Sequence, residues 1–267
     1  MTFPKDGSSY IILSPIELSI RRKIEAVGKP LKEWDVKIYR GVLTGCNEAF
    51  IITTEERDEL LSQCQSEEER KRTAELIRPI LRGRDIKRYS YDWAELWIIN
   101  THNGIKEEGI PPINIQEYPV LKAHLDQYRE KLQARADKGD TPYNLRNCAY
   151  IKDFDRPKII YPDICQGRPF VIEKEGYYIS NTAYFISTAN PGLLEYLVKT
   201  LNSDIMHWYY RTLSTQLGQK AMRMFSIHVL EIPIPPVSTI ALDDVIQLTP
   251  SEIDFIQSEL YAEESKI

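Results

Sequence analysis

AYIKDFDRPKIIYPDICQGRPFVIEKEGYYISNTAYFIST, residues 149–188, is the stretch whose reading decides the fold. Short runs rich in β-branched and aromatic residues alternate with proline, glycine and charged turns, which is the pattern of strands. Ala149–Phe154, Lys158–Tyr161, Phe170–Lys174 and Tyr177–Ser187 are read as four of them. On the C-terminal side, Asn190 and Pro191 open a helix reaching about Asn202, and Ser203 to Leu213 forms another. Met224–Leu230 is expected to return to strand. In Ile232-Pro233-Ile234-Pro235-Pro236 alternate residues lack an amide donor, so it reads as an extended linker. Thr249, Pro250 and Glu252 cap a final helix.

On the N-terminal side, Ser14, Pro15 and Glu17 supply an N-cap, a first-turn proline and a capping-box acid. Leu13 and Leu18 are placed as a hydrophobic staple, Ile16, Ile20, Ile24 and Val27 form one stripe, and Gly28 stops the helix. Val36–Leu43 and residues 48–53 read as strands joined by a turn at Thr44–Asn47. Thr53 with Glu56, and Ser66 with Glu69, start two charged helices; the second is expected to end at Arg78, ahead of Pro79. Residues 80–92 read as an arginine-rich loop, Leu96–Ile99 as a buried strand, and His102-Asn103-Gly104 as a turn. Pro119 opens a long amphipathic helix with Leu121, Leu125, Tyr128 and Leu132 on one face, broken by Gly139 to Pro142.

Helices and strands intermingle without a βαβ alternation, so the expected class is α+β with antiparallel or mixed sheets. The expected organisation is one unit over 1–236, made of the helix at 13–28, an α/β core at 36–188 and a helical and strand part at 190–236. A linker and helix follow at 237–267.

The 267 residues suffice for a sizeable core, and 42% hydrophobic with 27% charged residues is ordinary for a globular protein. Cys46, Cys64, Cys148 and Cys165 form neither a C-x-x-C pair nor a disulfide framework. No apolar signal core or membrane-length segment occurs, so a soluble, cytoplasmic protein is expected. The formal net charge of -5 argues against an all-basic surface. It does not exclude nucleic acid, because what binds a polyanion is charge gathered on one face.

Neither nucleotide-binding glycine loops nor a serine-hydrolase elbow is present. A metal-dependent nuclease would need an acid followed by E-x-K. Pro162-Asp163 supplies the first half, but Glu173 and Lys174 are adjacent, and neighbours on a strand face opposite ways. Asp35-Val36-Lys37 has the spacing without an upstream partner.

Basic residues are clustered. Arg78, Arg82, Arg84, Lys87 and Arg88 crowd one segment, with Tyr89 and Tyr91 interleaved. Arg146, Lys152, Arg156, Lys158 and Arg168 form a second cluster, and Arg211, Lys220 and Arg223 a third. Any one such run reads as a solvated surface. Three, with aromatics between them, leave a solvated surface and a hidden basic face both open. The polar stretch Gln216, Gly218, Gln219, Lys220 and Arg223 reads either as a connector or as a loop meeting a backbone.

Several segments together carry a resemblance. Tyr39-Arg40-Gly41-Val42-Leu43-Thr44-Gly45-Cys46-Asn47-Glu48-Ala49-Phe50 resembles the GI-x-TG-x-N-x-AF signature of the TaqI-like specificity domain. Leu81-Arg82-Gly83-Arg84-Asp85-Ile86 is similar to its L-x-RG-x-DI segment. Tyr118-Pro119, Arg156-Pro157-Lys158-Ile159-Ile160, Leu201-Asn202-Ser203 and Glu231-Ile232-Pro233-Ile234-Pro235 follow in the family's order. The resemblance covers about residues 13–236.

It implies the target-recognition part of an adenine-specific DNA methyltransferase, or of a type IIG enzyme that joins nuclease, methylase and recognition parts. The catalytic [DN]-P-P-[YF] is absent: Ile110-Pro111-Pro112-Ile113 keeps the prolines and lacks both flanking residues. The chain is therefore expected to hold no cofactor, while its parent would use S-adenosylmethionine, and Mg for any nuclease part. Its expected partners are double-stranded DNA and a methyltransferase catalytic domain, in the same parent chain or in a partner subunit, with no membrane. Arg82, Arg84, Lys87, Arg88, Arg156 and Lys158 are expected on phosphates. Thr44, Asn47, His102, Asn103 and Arg146 are expected near base edges, though Thr44, Gly45 and Asn47 also have a purely structural reading, favoured here, as the residues of a tight hairpin. Arg40, Arg168, Lys220 and Arg223 complete the DNA-contacting set. The alternatives are a scaffold subunit docking through the helices at 14–27 and 250–265, and a stand-alone metal-dependent nuclease.

Overall fold

The computed structural model describes residues 13–214, 216–217 and 221–264. A four-stranded antiparallel sheet lies at the centre, in the order Val171–Glu173, Lys158–Pro162, Ala183–Ser187, Lys37–Arg40. Its two middle strands are buried along their whole length. Side chains alternate across a strand, and here both faces are apolar. Ile159, Tyr161, Tyr184 and Ile186 enter one core; Ile160, Ala183 and Phe185 enter another.

The first core is closed by helices Pro15–Val27, Gly192–Leu201, Asp204–Leu213 and Pro250–Glu264. Ser14 and Glu17 form the expected capping box on the first of these, and Ile20 and Ile24 are fully buried. Glu252, on the helix Pro250–Glu264, accepts from Lys23 and Ser19, tying that helix to Pro15–Val27. The second core is closed by another four-stranded sheet, ordered Tyr178–Ile179, Ile77–Leu81, Leu96–Ile99, Ile51–Thr53. Only its first pair is parallel among the described strands. Helices Thr54–Ser62, Glu67–Leu76, Pro119–Asp126 and Arg129–Ala134 cover it. The class is α+β with antiparallel and mixed sheets.

Several local expectations are corrected. Ala149–Phe154 is not a strand: Ile151–Asp155 forms a 3-10 helix that drives Phe154 into the second core, stacked on Tyr178. The segments flanking Thr44–Asn47 do not pair as a hairpin; the first strand joins the central sheet and Ile51–Thr53 joins the other. The charged helix stops at Leu76, and Ile77–Leu81 is a strand despite Pro79. That proline is tolerated because it ends the ladder to Leu96–Ile99, while the ladder to Tyr178–Ile179 begins at Ile80. The arginine-rich loop contains a tight hairpin, Ile86–Lys87 against Ser90–Tyr91. The amphipathic helix from Pro119 is interrupted at Gln127 and Tyr128, although Leu121, Leu125 and Leu132 are all fully buried. Strand is found at Ala221–Arg223 and a helical turn at Ser226–Val229, not a strand over Met224–Leu230. Pro233–Ile234 is a buried strand against Lys29–Pro30, so the proline run is packed structure.

Candidate nucleic-acid interface

Four strands deliver their C-terminal ends to one edge of the molecule. Lys37–Arg40, Ile77–Leu81, Lys158–Pro162 and Tyr178–Ile179 end beside the start of Ala183–Ser187, through the pairs Arg40–Tyr184, Pro162–Ala183 and Leu81–Ile179. The loop Ser180-Asn181-Thr182 lies among them. Two glycines permit the approach. A Cβ on Gly41 would stand 2.1 Å from the Ser180 carbonyl oxygen, and one on Gly83 would stand 2.4 Å from that of Thr182. The Gly83 amide also donates to Thr182 Oγ1 at 2.9 Å.

The strand ends frame a groove of two adjoining basins, about 540 and 490 Å³, which share Gly83, Arg84 and Ile164. Asn47, Arg82, Asp163 and Asn181 line the first; Lys87, Arg88 and Arg168 line the second. Arg84, Lys87 and Arg88 are exposed. Arg88 donates to the Asn202 carbonyl at 3.2 Å and lies 5.2 Å over the ring of Tyr89, whose backbone is left-handed (φ 59°). Arg168 is ion-paired with Asp204. Arg40 is half-exposed and donates from Nε to the Asn181 carbonyl at 2.8 Å. Arg223 pairs opposite Ile164 in a small three-stranded sheet and lies over the Phe225 ring. Lys220 lies outside the described residues.

Arg82 has a different role from its neighbours. Its Nε and Nη2 both hold the buried carboxylate of Asp85, which also accepts the Arg82 amide at 2.8 Å. This hydrogen-bonded partner raises the Arg82 pKa. Arg82 is the brace of the loop that carries Arg84.

The Thr44–Asn47 turn connects the groove to a second polar region. Asn47 is exposed on the groove, and its Oδ1 accepts from the buried Thr44 hydroxyl at 2.6 Å. Thr44 is thus inside the turn and not at a base-reading surface. Behind it stands Arg135, which nothing in the sequence pattern singles out. It is buried, lies 4.6 Å over the Phe50 ring, and donates to the carbonyls of Thr44, Asp137, Pro142 and Asn144. Burial lowers its pKa. A lone arginine at a helix end carries no letter pattern announcing four carbonyl partners.

His102, Asn103 and Arg146 lie in this second region. Asn103 is buried; its Nδ2 donates to Asp140 and Asn147, and its Oδ1 accepts the Asp140 amide at 2.7 Å. It organises the loop and cannot also meet a base edge. His102 is half-buried, which lowers its pKa, and its Nδ1 accepts the Gly104 amide. Arg146 is exposed, 3.3 Å from Asp137.

The second basic cluster is divided in space. Arg168 is at the groove, whereas Arg156 and Lys158 are at the opposite end of the strand Lys158–Pro162. Lys158 is wholly buried, ion-paired with the equally buried Glu173, and donates to the Phe154 carbonyl at 2.6 Å. Burial lowers its pKa and Glu173 offsets this. It is withdrawn from the phosphate-contacting set. Arg156 is exposed beside Asp153. The same pair occupies Glu173, so it cannot serve with Asp163 as a nuclease site. Among the described residues, no three His, Cys, Asp or Glu side chains are placed to share a metal ion. No helix among them is long and apolar enough to cross a membrane.

The sequence profile of the TaqI-like C-terminal specificity domain matches residues 78–234, more than half of the chain. The type II methyltransferase M.PaeR7I of Pseudomonas aeruginosa is 25% identical over 234 residues, covering 85% of this chain and 37% of that protein. Two solved structures share the fold. The type IIL restriction-modification enzyme MmeI, solved in complex with DNA, superposes with a TM-score of 0.54 at 15% identity over 88% of this chain and 33% of its own. The type IIG restriction endonuclease BpuSI gives 0.57 at 14% identity over 94% and 32%. The chain therefore spans about a third of the length of these relatives.

Proposed function

The chain belongs to the TaqI-like C-terminal specificity domain family, and on that premise we propose that it reads the DNA target of a restriction–modification methyltransferase. Its partners are duplex DNA and a catalytic domain supplied by the same parent chain or a partner subunit. The parent transfers a methyl group from S-adenosylmethionine to adenine, and any nuclease part uses Mg. This chain carries no [DN]-P-P-[YF] catalytic motif for that chemistry. Ile110-Pro111-Pro112-Ile113, the nearest match to the catalytic motif, is held as a loop support: the Ile113 amide donates to the His102 carbonyl and its carbonyl accepts from Asn144.

One observation carries the proposal. Sequence-distant segments at residues 40–47, 82–88, 162–168 and 180–182 meet in one groove rimmed by Arg40, Arg84, Lys87 and Arg88. An acidic chain has thus gathered cations where strand ends and loops can approach a polyanion. Phosphate contacts from these side chains fix the register, and amides such as Asn47 and Asn181 lie within to meet base edges. The residues 1–236 form the reading unit, and the helix at 250–264 packs on its first core.

The test is selection of bound duplexes from a randomised pool, with affinity measured at two salt concentrations. The expected result is one enriched short motif containing adenine and a steep fall of affinity with salt. Binding with no motif at either salt concentration, or no binding at low salt, overturns it.

A further inference from the structure

Asp163 is out of place in a surface that meets phosphates. Among the described residues it is the one carboxylate lining either basin, surrounded by cations and amides. Its backbone is fixed from both sides: its amide donates to the Thr182 carbonyl, and its carbonyl accepts the Met224 amide, each at 2.9 Å. Its side chain is 20% exposed, so it reaches the groove without being free in solvent. The nearest guanidinium nitrogen, Arg40 Nη2, stands 3.9 Å from Oδ2, beyond hydrogen-bond length. Arg40 directs its Nε to the Asn181 carbonyl instead. Burial raises the Asp163 pKa, while the charges of Arg40 and Arg223 work against that rise. Among the described residues, no two further His, Cys, Asp or Glu side chains are placed to share a metal ion with it.

A carboxylate here repels any backbone phosphate, so it stabilises a complex only by accepting hydrogen bonds from a base. In the major groove, guanine and thymine present acceptors, and the adenine N6 amine stands beside the N7 acceptor. Cytosine presents an N4 amine donor and no acceptor of its own on that edge. Resting on the function proposed above, we infer that Asp163 is a specificity-determining residue that reads one cytosine of the target through its N4 amine. The charges of Arg40 and Arg223 favour the ionised carboxylate without a hydrogen bond from Arg40 to hold it, while Arg84, also lining the groove, meets the backbone.

The experiment compares motifs selected by the wild-type chain, Asp163→Asn and Asp163→Ala, each variant first checked by thermal unfolding. In the wild type one position favours cytosine by roughly tenfold or more. Asp163→Ala brings that position to within about twofold of the other bases, and Asp163→Asn moves it toward adenine, which an asparagine amide pairs with in bidentate fashion. All other positions stay as they were. A second arm leaves the protein intact: a duplex whose cytosine lacks the N4 amine binds the wild type roughly tenfold more weakly. Asp163→Ala does not distinguish that duplex from the normal one. Unchanged motifs in both variants overturn the assignment. So does an even weakening at every position, which is what a mere brace for Arg40 gives. Failure of the wild type to select any motif sinks the whole reading of the domain, whereas unchanged variants sink the role of Asp163 only.

Discussion

The strand Lys158–Pro162 has two unlike ends, although the sequence writes charges at both. At one end Lys158 and Glu173 form an ion pair with no solvent exposure on either side chain. At the other, Asp163 and Arg40 stand 3.9 Å apart at an open groove. The first pair is surrounded by the Phe154 carbonyl and the sheet, so its charges satisfy each other. The second is incompletely matched and faces outward. Burial and pairing, not the presence of a lysine or arginine, decide which charges remain available to a ligand.

The largest effect is expected at the closed end. Lys158→Met leaves Glu173 buried without its cation and should cost about 3–5 kcal/mol of stability. Denaturant titration measures this, and a stable variant that no longer binds DNA would break the comparison. A smaller effect comes from His207, beside the groove. Burial, with the like charges of Arg168, Arg211 and Arg88, pulls its imidazole down to about 3. A base whose folded pKa lies below its unfolded value near 6.5 favours folding in its neutral form. Stability from this group is whole above about pH 6.5 and declines as pH falls toward 3. His207→Asn should remove a decline of about 1–3 kcal/mol between pH 6.5 and 4, seen as a flatter profile of unfolding free energy than the wild type shows. An unchanged profile would show that neither burial nor the neighbouring cations hold the His207 imidazole below its unfolded value.

The smallest effect on stability belongs to the groove rim. Arg84→Ala with Lys87→Ala should change unfolding free energy by no more than about 0.5 kcal/mol, because both side chains are exposed. The same double substitution should reduce the salt slope of log affinity by about 2 units, roughly 0.9 for each phosphate left without its cation. Equal slopes for variant and wild type would place the phosphates elsewhere.

Much of the fold was legible from local signals. The capping boxes at Ser14 and Thr53 and the cap at Ser203 form as their spacing demands, because a cap involves residues three apart. The apolar strands Lys158–Pro162 and Ala183–Ser187 were readable because burial on both faces leaves a nearly continuous hydrophobic run. Ala149–Phe154 reads wrongly as strand because Tyr150, Ile151 and Phe154 suit a strand in isolation, while docking of Phe154 against Tyr178 and Phe185 selects the tighter helix Ile151–Asp155. Arg84 and Lys87 were legible as charged groups of the site, whereas Asp163 was legible only as half of an incomplete nuclease pattern. Arg82, Lys158 and Arg168 were legible only as charges, since their partners Asp85, Glu173 and Asp204 were not all visible as partners in the letters.

The α+β class, most of the helices, the central strands and the family's signature segments in their order all follow from the letters of the chain. These depend on periodicity, capping and turn chemistry, which act over a few residues. Which charges face the groove and which are buried was settled only by the packing of the folded chain. So was the meeting of the strand ends at Arg40, Leu81, Pro162 and Ile179 along one edge. Those outcomes depend on pairings across dozens of residues, where a one-residue change of register or an added Cβ at Gly41 or Gly83 reverses what a side chain meets.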